Sequence, residues 1–230
     1  MKTIGLLGGM SWESSAHYYR IMNETVQQRL GGLHSARVLM NSVDFAPFRE
    51  RMLAGDWKGI GEHLTQAARV LEQGGAELLV IGTNTMHMVA PTVAAAVNIP
   101  LLHIADATAE VARKKGARSL GLLGTRFTME ERFYVDRLAE HGMEAVVPSE
   151  QDRSFIDAVI FDELCKGRFT GDSRQEFLRI IDELVSNGAD AVILGCTEIG
   201  LLVNQGDTSV TLLDTCVIHA QQAVERAVFS

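Results

Sequence analysis

The 230-residue sequence predicts an α/β fold of two pseudo-symmetric lobes, each a parallel sheet flanked by helices, with an active site in the cleft between them. Three observations carry this prediction. Short apolar, β-rich runs ending in glycine alternate with amphipathic stretches of helical length, the order of a parallel sheet with helical crossovers. The segment from Leu71 through Gly75 and Gly82 to Thr85 lies over the segment from Leu184 through Gly188 and Gly195 to Glu198, 113 residues later. Ile4-Gly5-Leu6-Leu7-Gly8 matches Leu120-Gly121-Leu122-Leu123-Gly124 at an offset of 116. Glycine punctuation between a helix and a buried strand would explain one such match. Two matches at nearly one offset imply a duplication that keeps the element order.

In chain order, the apolar runs at 3–8, 36–43, 77–82 and 99–103 are the strands of the first half. The amphipathic stretches at 12–30, 58–73 and 86–97 are its helices. In the second half, 118–123, 144–147, 190–195 and 210–213 read as strands, separated by helices at 105–115, 128–141, 151–166 and 172–187 and followed by one at 214–228. Pro47, Pro91, Pro100 and Pro148 fall at element ends or first turns, where a missing N–H is tolerated. The expected division is 1–103 for the first lobe, with 214–230 packing back on it, and 104–213 for the second.

Composition narrows the function. A 47% apolar and 22% charged chain is globular rather than disordered. A net charge of −8 repels phosphate backbones, so nucleic acid and anionic membranes are poor partners. Cys165, Cys196 and Cys216 are too few and too far apart for a disulfide framework or a zinc cluster, and reduced thiols point to the cytoplasm. Residues 1–9 read as a first strand rather than a signal peptide, and no window reaches the roughly 18 apolar residues of a membrane span.

Ligands of open parallel sheets bind at the carboxyl ends of the strands. The repeat therefore singles out Gly8-Gly9-Met10-Ser11, Thr83-Asn84-Thr85, Gly124-Thr125 and Cys196-Thr197-Glu198. Cys196 stands where Thr83 stands in the other half, so the two are expected to face each other. A short helix beginning near Glu198 would lower the Cys196 pKa through its dipole, which makes Cys196 a candidate nucleophile or base rather than a small apolar filler. Cys165 and Cys216, inside helical patterns, read as filler. Three polar side chains at Thr83, Asn84 and Thr85 exceed what a helix cap requires and suit a carboxylate at a helix N-terminus. Ser11 follows two glycines that would let a ligand approach the backbone.

Several chemistries are absent from the pattern. Gly5-Leu6-Leu7-Gly8-Gly9 is neither a dinucleotide fingerprint nor a P-loop. His17, His34, His63, His87, His103, His141 and His219 show no metal-ligand spacing and read as surface or packing residues, with His87 nearest the cleft. No lysine follows a strand as a Schiff-base lysine would. No cofactor and no metal are expected.

Gly5-Leu6-Leu7-Gly8-Gly9-Met10-Ser11, Thr83-Asn84-Thr85 and Gly195-Cys196-Thr197-Glu198 resemble the cofactor-independent aspartate/glutamate racemase family over the full length of the chain. The resemblance implies racemisation of an amino acid, aspartate or glutamate first, by two bases that remove and return the α-proton on opposite faces. Most members use two cysteines. Here Cys196 is kept and Thr83 replaces the other, as in a subgroup of the family, which implies unequal rates from the two enantiomers, with Cys196 serving L-substrate. Carry-over assigns Met10, Ser11, Asn84, Thr85, Thr125, Thr197 and Glu198 to substrate binding. It leaves Arg49, Arg51 or Lys166 to hold a side-chain carboxylate, because the family's lysine aligns with Cys165. The partner implied is a small amino acid with carboxylate groups, with a homodimer as the one protein partner considered. Two alternatives stand beside this: a single-cysteine decarboxylase or isomerase of the same superfamily, and a non-catalytic dicarboxylate-binding protein.

Overall fold

The computed structural model describes residues 1–229. The chain divides into two compact units, one built from Met1–His103 plus the segment from His219 onward, the other from Ile104–Ile218.

Unit 1 runs β1 (Ile4–Gly8), α1 (Trp12–Leu30), β2 (Val38–Ser42), α2 (Phe45–Ala54), α3 (Trp57–Gln73), β3 (Leu78–Ile81), a 3-10 turn (Thr85–Val89), α4 (Ala90–Ala94) and β4 (Leu101–Leu102). Unit 2 runs α5 (Ile104–Lys114), β5 (Ser119–Gly124), α6 (Arg126–Glu130), α7 (Arg132–Glu140), β6 (Glu144–Val146), α8 (Glu150–Asp162), a 3-10 turn (Leu164–Lys166), α9 (Gly171–Ser186), β7 (Ala191–Gly195), α10 (Ile199–Leu202), a second 3-10 turn (Gln205–Asp207) and β8 (Leu212–Asp214). The last helix, α11 (Thr215–Phe229), begins in unit 2 and continues into unit 1. Among the described residues, no helix is long and apolar enough to cross a membrane.

Each unit holds one four-stranded, all-parallel sheet, ordered β2-β1-β3-β4 and β6-β5-β7-β8. The repeat reaches down to register. Ile4 lies opposite Leu78 and Leu120 opposite Ala191, pairs separated by the two sequence offsets. The central strands are buried throughout, apart from Ser119 at the start of β5, so they read as continuous apolar runs with no alternation. An acidic residue before the third strand of each sheet ties down the start of the first. Glu77 accepts from the Thr3 N–H at 2.8 Å, and Asp190 from the Arg118 and Ser119 N–H groups at 2.9 Å. Those amide bonds hold the Asp190 carboxyl below the usual carboxylate range.

The helices follow the same correspondence. A Cβ added to Gly5 would lie 3.3 Å from the Leu71 Cβ, and one added to Gly121 the same distance from the Leu184 Cβ. Each glycine thus lets a helix, α3 or α9, sit directly on its sheet.

Three expected helices are shorter or divided. The 86–97 stretch is a 3-10 turn followed by five-residue α4. Glu131, extended at φ −84° and ψ 148°, separates α6 from α7. The 151–166 helix ends at Asp162, and a 3-10 turn follows Glu163. Helix α2 falls where no helix was expected. Asp44 caps it by accepting from the Ala46 N–H, and Pro47 sits in its first turn, where its lost donor costs no helical bond.

Candidate functional site

In each unit the candidate residues cluster because two neighbouring central strands end side by side. In unit 1, Leu7 pairs with Ile81, and the Gly82 N–H donates to the Leu7 carbonyl at 2.9 Å. Met10 and Ser11 thus follow β1, and Thr83, Asn84 and Thr85 follow β3, at the same end of the sheet. Ser11 caps α1, accepting from the Ser14 N–H at 3.3 Å, and the Ser14 hydroxyl donates to the Gly82 carbonyl at 3.4 Å. The start of α1 is thereby tied to the end of β3. Met10, Ser11, Asn84 and Thr85 are buried and Thr83 is half-buried. Asn84 makes no side-chain capping bond, so capping does not account for it.

The glycines of the first turn serve the chain itself, which corrects the expectation that they admit a ligand. Gly9 has φ +89°, and a Cβ there would lie 2.1 Å from the Val43 carbonyl oxygen. The Gly9 N–H donates to the Ser15 hydroxyl at 2.7 Å. The space and that donor are both taken.

His87, read from sequence as packing, has a specific partner. Its ring Nδ1 lies 2.8 Å from the Thr83 carbonyl oxygen, which can only accept, so Nδ1 carries the proton and donates. The four-residue spacing was visible in the sequence. The ring's orientation was not.

In unit 2, Gly124 pairs with Gly195, placing Thr125 beside Cys196, Thr197 and Glu198. Thr125 caps α6, accepting from the Thr128 N–H at 3.3 Å. The centre of this cluster is a carboxylate. Glu198, 2% exposed, accepts on Oε2 from the Cys196 thiol and the Thr197 hydroxyl, each at 3.0 Å, and faces the Cys165 thiol at 3.9 Å on Oε1.

The expected lowering of the Cys196 pKa is therefore overturned. Burial pushes the thiol well above its ordinary value, and the Glu198 charge pushes in the same direction. Helix α10 has four residues and Glu198 at its N-cap, so a carboxylate at close range outweighs a weak helix dipole. The resting thiol is protonated.

Two of the three basic candidates have acidic neighbours. Arg51, on α2, pairs with Asp56 at 3.5 Å, and Lys166 with Asp162 at 3.2 Å, both on the surface. Arg49, also on α2, is half-buried. Of Cys165 and Lys166, neighbours in the Leu164–Lys166 turn, it is Cys165 that reaches Glu198. Among the described residues, no group of three or more His, Cys, Asp or Glu is placed to hold a metal ion.

A family model described as Asp/Glu/Hydantoin racemase matches residues 7–223. The chain is similar to a crystal structure from Yersinia pestis provisionally described as an Asp/Glu racemase, with 47% identity, a TM-score of 0.92 and coverage of 99% of this chain and 100% of that one. It is also similar to an aspartate racemase homologue from Pyrococcus horikoshii, at 36% identity, a TM-score of 0.86 and 99% of both chains. The broad specificity amino-acid racemase RacX of Bacillus subtilis is 20% identical over 224 residues, 96% of each chain.

Proposed function

This chain belongs to the Asp/Glu/Hydantoin racemase family, a family of isomerases, and we propose that it interconverts the enantiomers of an amino acid by cofactor-free proton exchange at Cα, with Cys196 and Thr83 as the two bases. The observation that carries the reading is the Cys196–Glu198 pair, a thiol held at 3.0 Å to a buried carboxylate directly after a strand. A protonated thiol cannot remove a Cα proton. Glu198 Oε2 stands ready to accept the thiol proton, and the thiolate so formed abstracts the Cα proton. The electron pair left behind spreads into the substrate carboxylate as an enediolate. Asn84, Thr85, Thr125 and the Thr197 backbone N–H supply donors for that developing charge, the Thr197 hydroxyl proton being held by Glu198. Thr83 then delivers its hydroxyl proton on the opposite face and recovers one from water, and Glu198 gives up the proton it took from the thiol to the hydroxide so formed, which restores the resting thiol and carboxylate. An aliphatic hydroxyl is a poorer base than a thiol, so turnover begun by Cys196, assigned to the L-enantiomer, outpaces turnover begun by Thr83. In this reading Glu198, which accepts from the Cys196 thiol and the Thr197 hydroxyl, serves the thiol rather than a substrate carboxylate.

Aspartate and glutamate come first as substrates, following the descriptions of the two similar structures. Neutral amino acids gain support from the surface ion pairs of Arg51 and Lys166, which leave both cations engaged. A panel of L- and D-amino acids in deuterated water, followed by NMR for loss of the Cα proton and by chiral separation, tests both points. The wild type should exchange and racemise at least one of them, and Cys196→Ser should retain less than roughly a tenth of that rate, about 1.4 kcal/mol of barrier. A folded Cys196→Ser above that level removes the thiol from the mechanism.

A further inference from the structure

Behind the Thr83 turn, unit 1 packs three imidazoles and a phenol that the racemisation steps do not use. Tyr18, His87 and His219 are at most 1% exposed. His219 Nε2 lies 2.9 Å from the Leu102 carbonyl and therefore donates, so in its neutral form Nδ1 accepts from the Tyr18 hydroxyl, also at 2.9 Å. With both nitrogens engaged, the His219 ring is fixed between α1 and β4. His87 lies against it at 5.9 Å between ring centroids, and against the His103 ring at 4.4 Å, both edge to face.

Burying a polar ring costs free energy that an aliphatic side chain avoids, so the imidazole at 87 needs a reason beyond filling space. The backbone supplies one. In an α-helix the carbonyl of Thr83 would accept from the N–H of residue 87. Here the segment is 3-10, and the His87 N–H donates instead to the Asn84 carbonyl at 3.0 Å. The same residue's side chain takes over the relinquished bond, with its Nδ1–H on the Thr83 carbonyl at 2.8 Å.

We propose that His87 is a positioning residue for Thr83: its Nδ1–H, held in place by the rings of His103 and His219, fixes the peptide plane after Thr83 and with it the direction from which the Thr83 hydroxyl delivers its proton. The inference rests on Thr83 being the second base. It does not involve Cys196, so its loss falls on one of the two proton transfers only.

Two measurements test it. In a long-range proton–nitrogen spectrum of the labelled protein, with His87 assigned from the signal missing in His87→Asn and recorded where the ring is neutral, Nδ1 should carry the proton. That is the tautomer imidazole favours less in water, and a ring protonated on Nε2 alone overturns the proposal. Second, His87→Leu keeps the bulk and removes the donor. Racemisation should fall roughly a hundredfold, the scale of misplacing a reacting group by about 1 Å, while solvent exchange at Cα of the enantiomer facing Cys196 persists. His87→Asn, whose amide N–H stands where Nδ1–H stood, should recover to within about tenfold of wild type. A folded His87→Leu that racemises normally, that loses exchange and racemisation together, or that His87→Asn does not improve on, overturns the proposal. Thr83→Ala, measured alongside, separates the two layers. If it racemises like wild type, the second-base reading falls and the positioning role with it. If it splits exchange from racemisation and His87→Leu does not, only the positioning role falls.

Discussion

At the scale of single residues, the balance between burial, Glu198 and the α10 dipole decides how Cys196 works. Burial and the adjacent charge both favour the thiol, so its proton must leave during turnover rather than beforehand. The expected pH profile follows: kcat/KM from the Cys196 side keeps rising beyond about pH 8.5, the range of an ordinary thiol. Glu198→Gln removes the repelling charge and should move that rise to lower pH, while lowering the rate below the rise, where the thiol still holds its proton and has lost its acceptor. A wild-type profile that levels off below the ordinary thiol range contradicts this account. Alkylation by iodoacetamide at neutral pH should be slow for the same reason. The sign for stability is also fixed. The folded protein holds this proton longer than the unfolded chain, so the contribution is present below about pH 8.5 and is lost as pH climbs toward the raised folded value. Gly195-Cys196-Thr197-Glu198 was legible as a site from its place after a glycine-ended strand. The sign of its pKa shift was not, because that depends on Glu198 folding back onto the thiol two residues before it, a contact no spacing rule reports.

Among elements, the two glycine-floored contacts are the tightest test of the internal repeat. Gly121→Ala places a methyl group 3.0 Å from both Leu184 Cδ1 and Val192 Cγ2, so α9 must lift from β5. The cost should be about 1–3 kcal/mol, read as a lower denaturant midpoint at unchanged slope. Gly5→Ala should behave alike, since its new methyl group would meet Ala76 at 2.9 Å and Leu71 at 3.3 Å. Midpoints equal to wild type would mean that the helices are not seated on these glycines. Periodicity located these strands and long helices because burial of an apolar face dictates both. It merged α6 with α7 because apolar spacing continues through Glu131, whose extended backbone carries no sequence signal of its own. It missed α2, which buries only Phe48 and Met52 and leaves Ala46, Pro47, Leu53 and Ala54 exposed, so its apolar residues trace no single buried stripe.

Over the whole molecule, unit 1 is made of two stretches of chain and unit 2 of one. The returning stretch is firmly attached. The Lys2 N–H donates to the Ala227 carbonyl at 2.7 Å, His219 joins Tyr18 to Leu102, and Ala220, Ala223, Val224 and Ala227 are buried. A chain stopped after Ile218 should therefore lose protease resistance within residues 1–103 while 104–218 stay resistant, and equal resistance of both halves would show the return to be dispensable. The same arrangement sets an order of events during synthesis. Domains tend to fold as they emerge from the ribosome, beginning with the first made. Here the half translated first lacks its closing helix until more than a hundred further residues have followed, among them all of Ile104–Ile218. The half translated second is contiguous and has its whole sheet available earlier. Nascent unit 1 must wait with Tyr18 and Leu102 uncovered by His219, so the interval in which a chaperone has an apolar surface to hold belongs to the older part of the polypeptide.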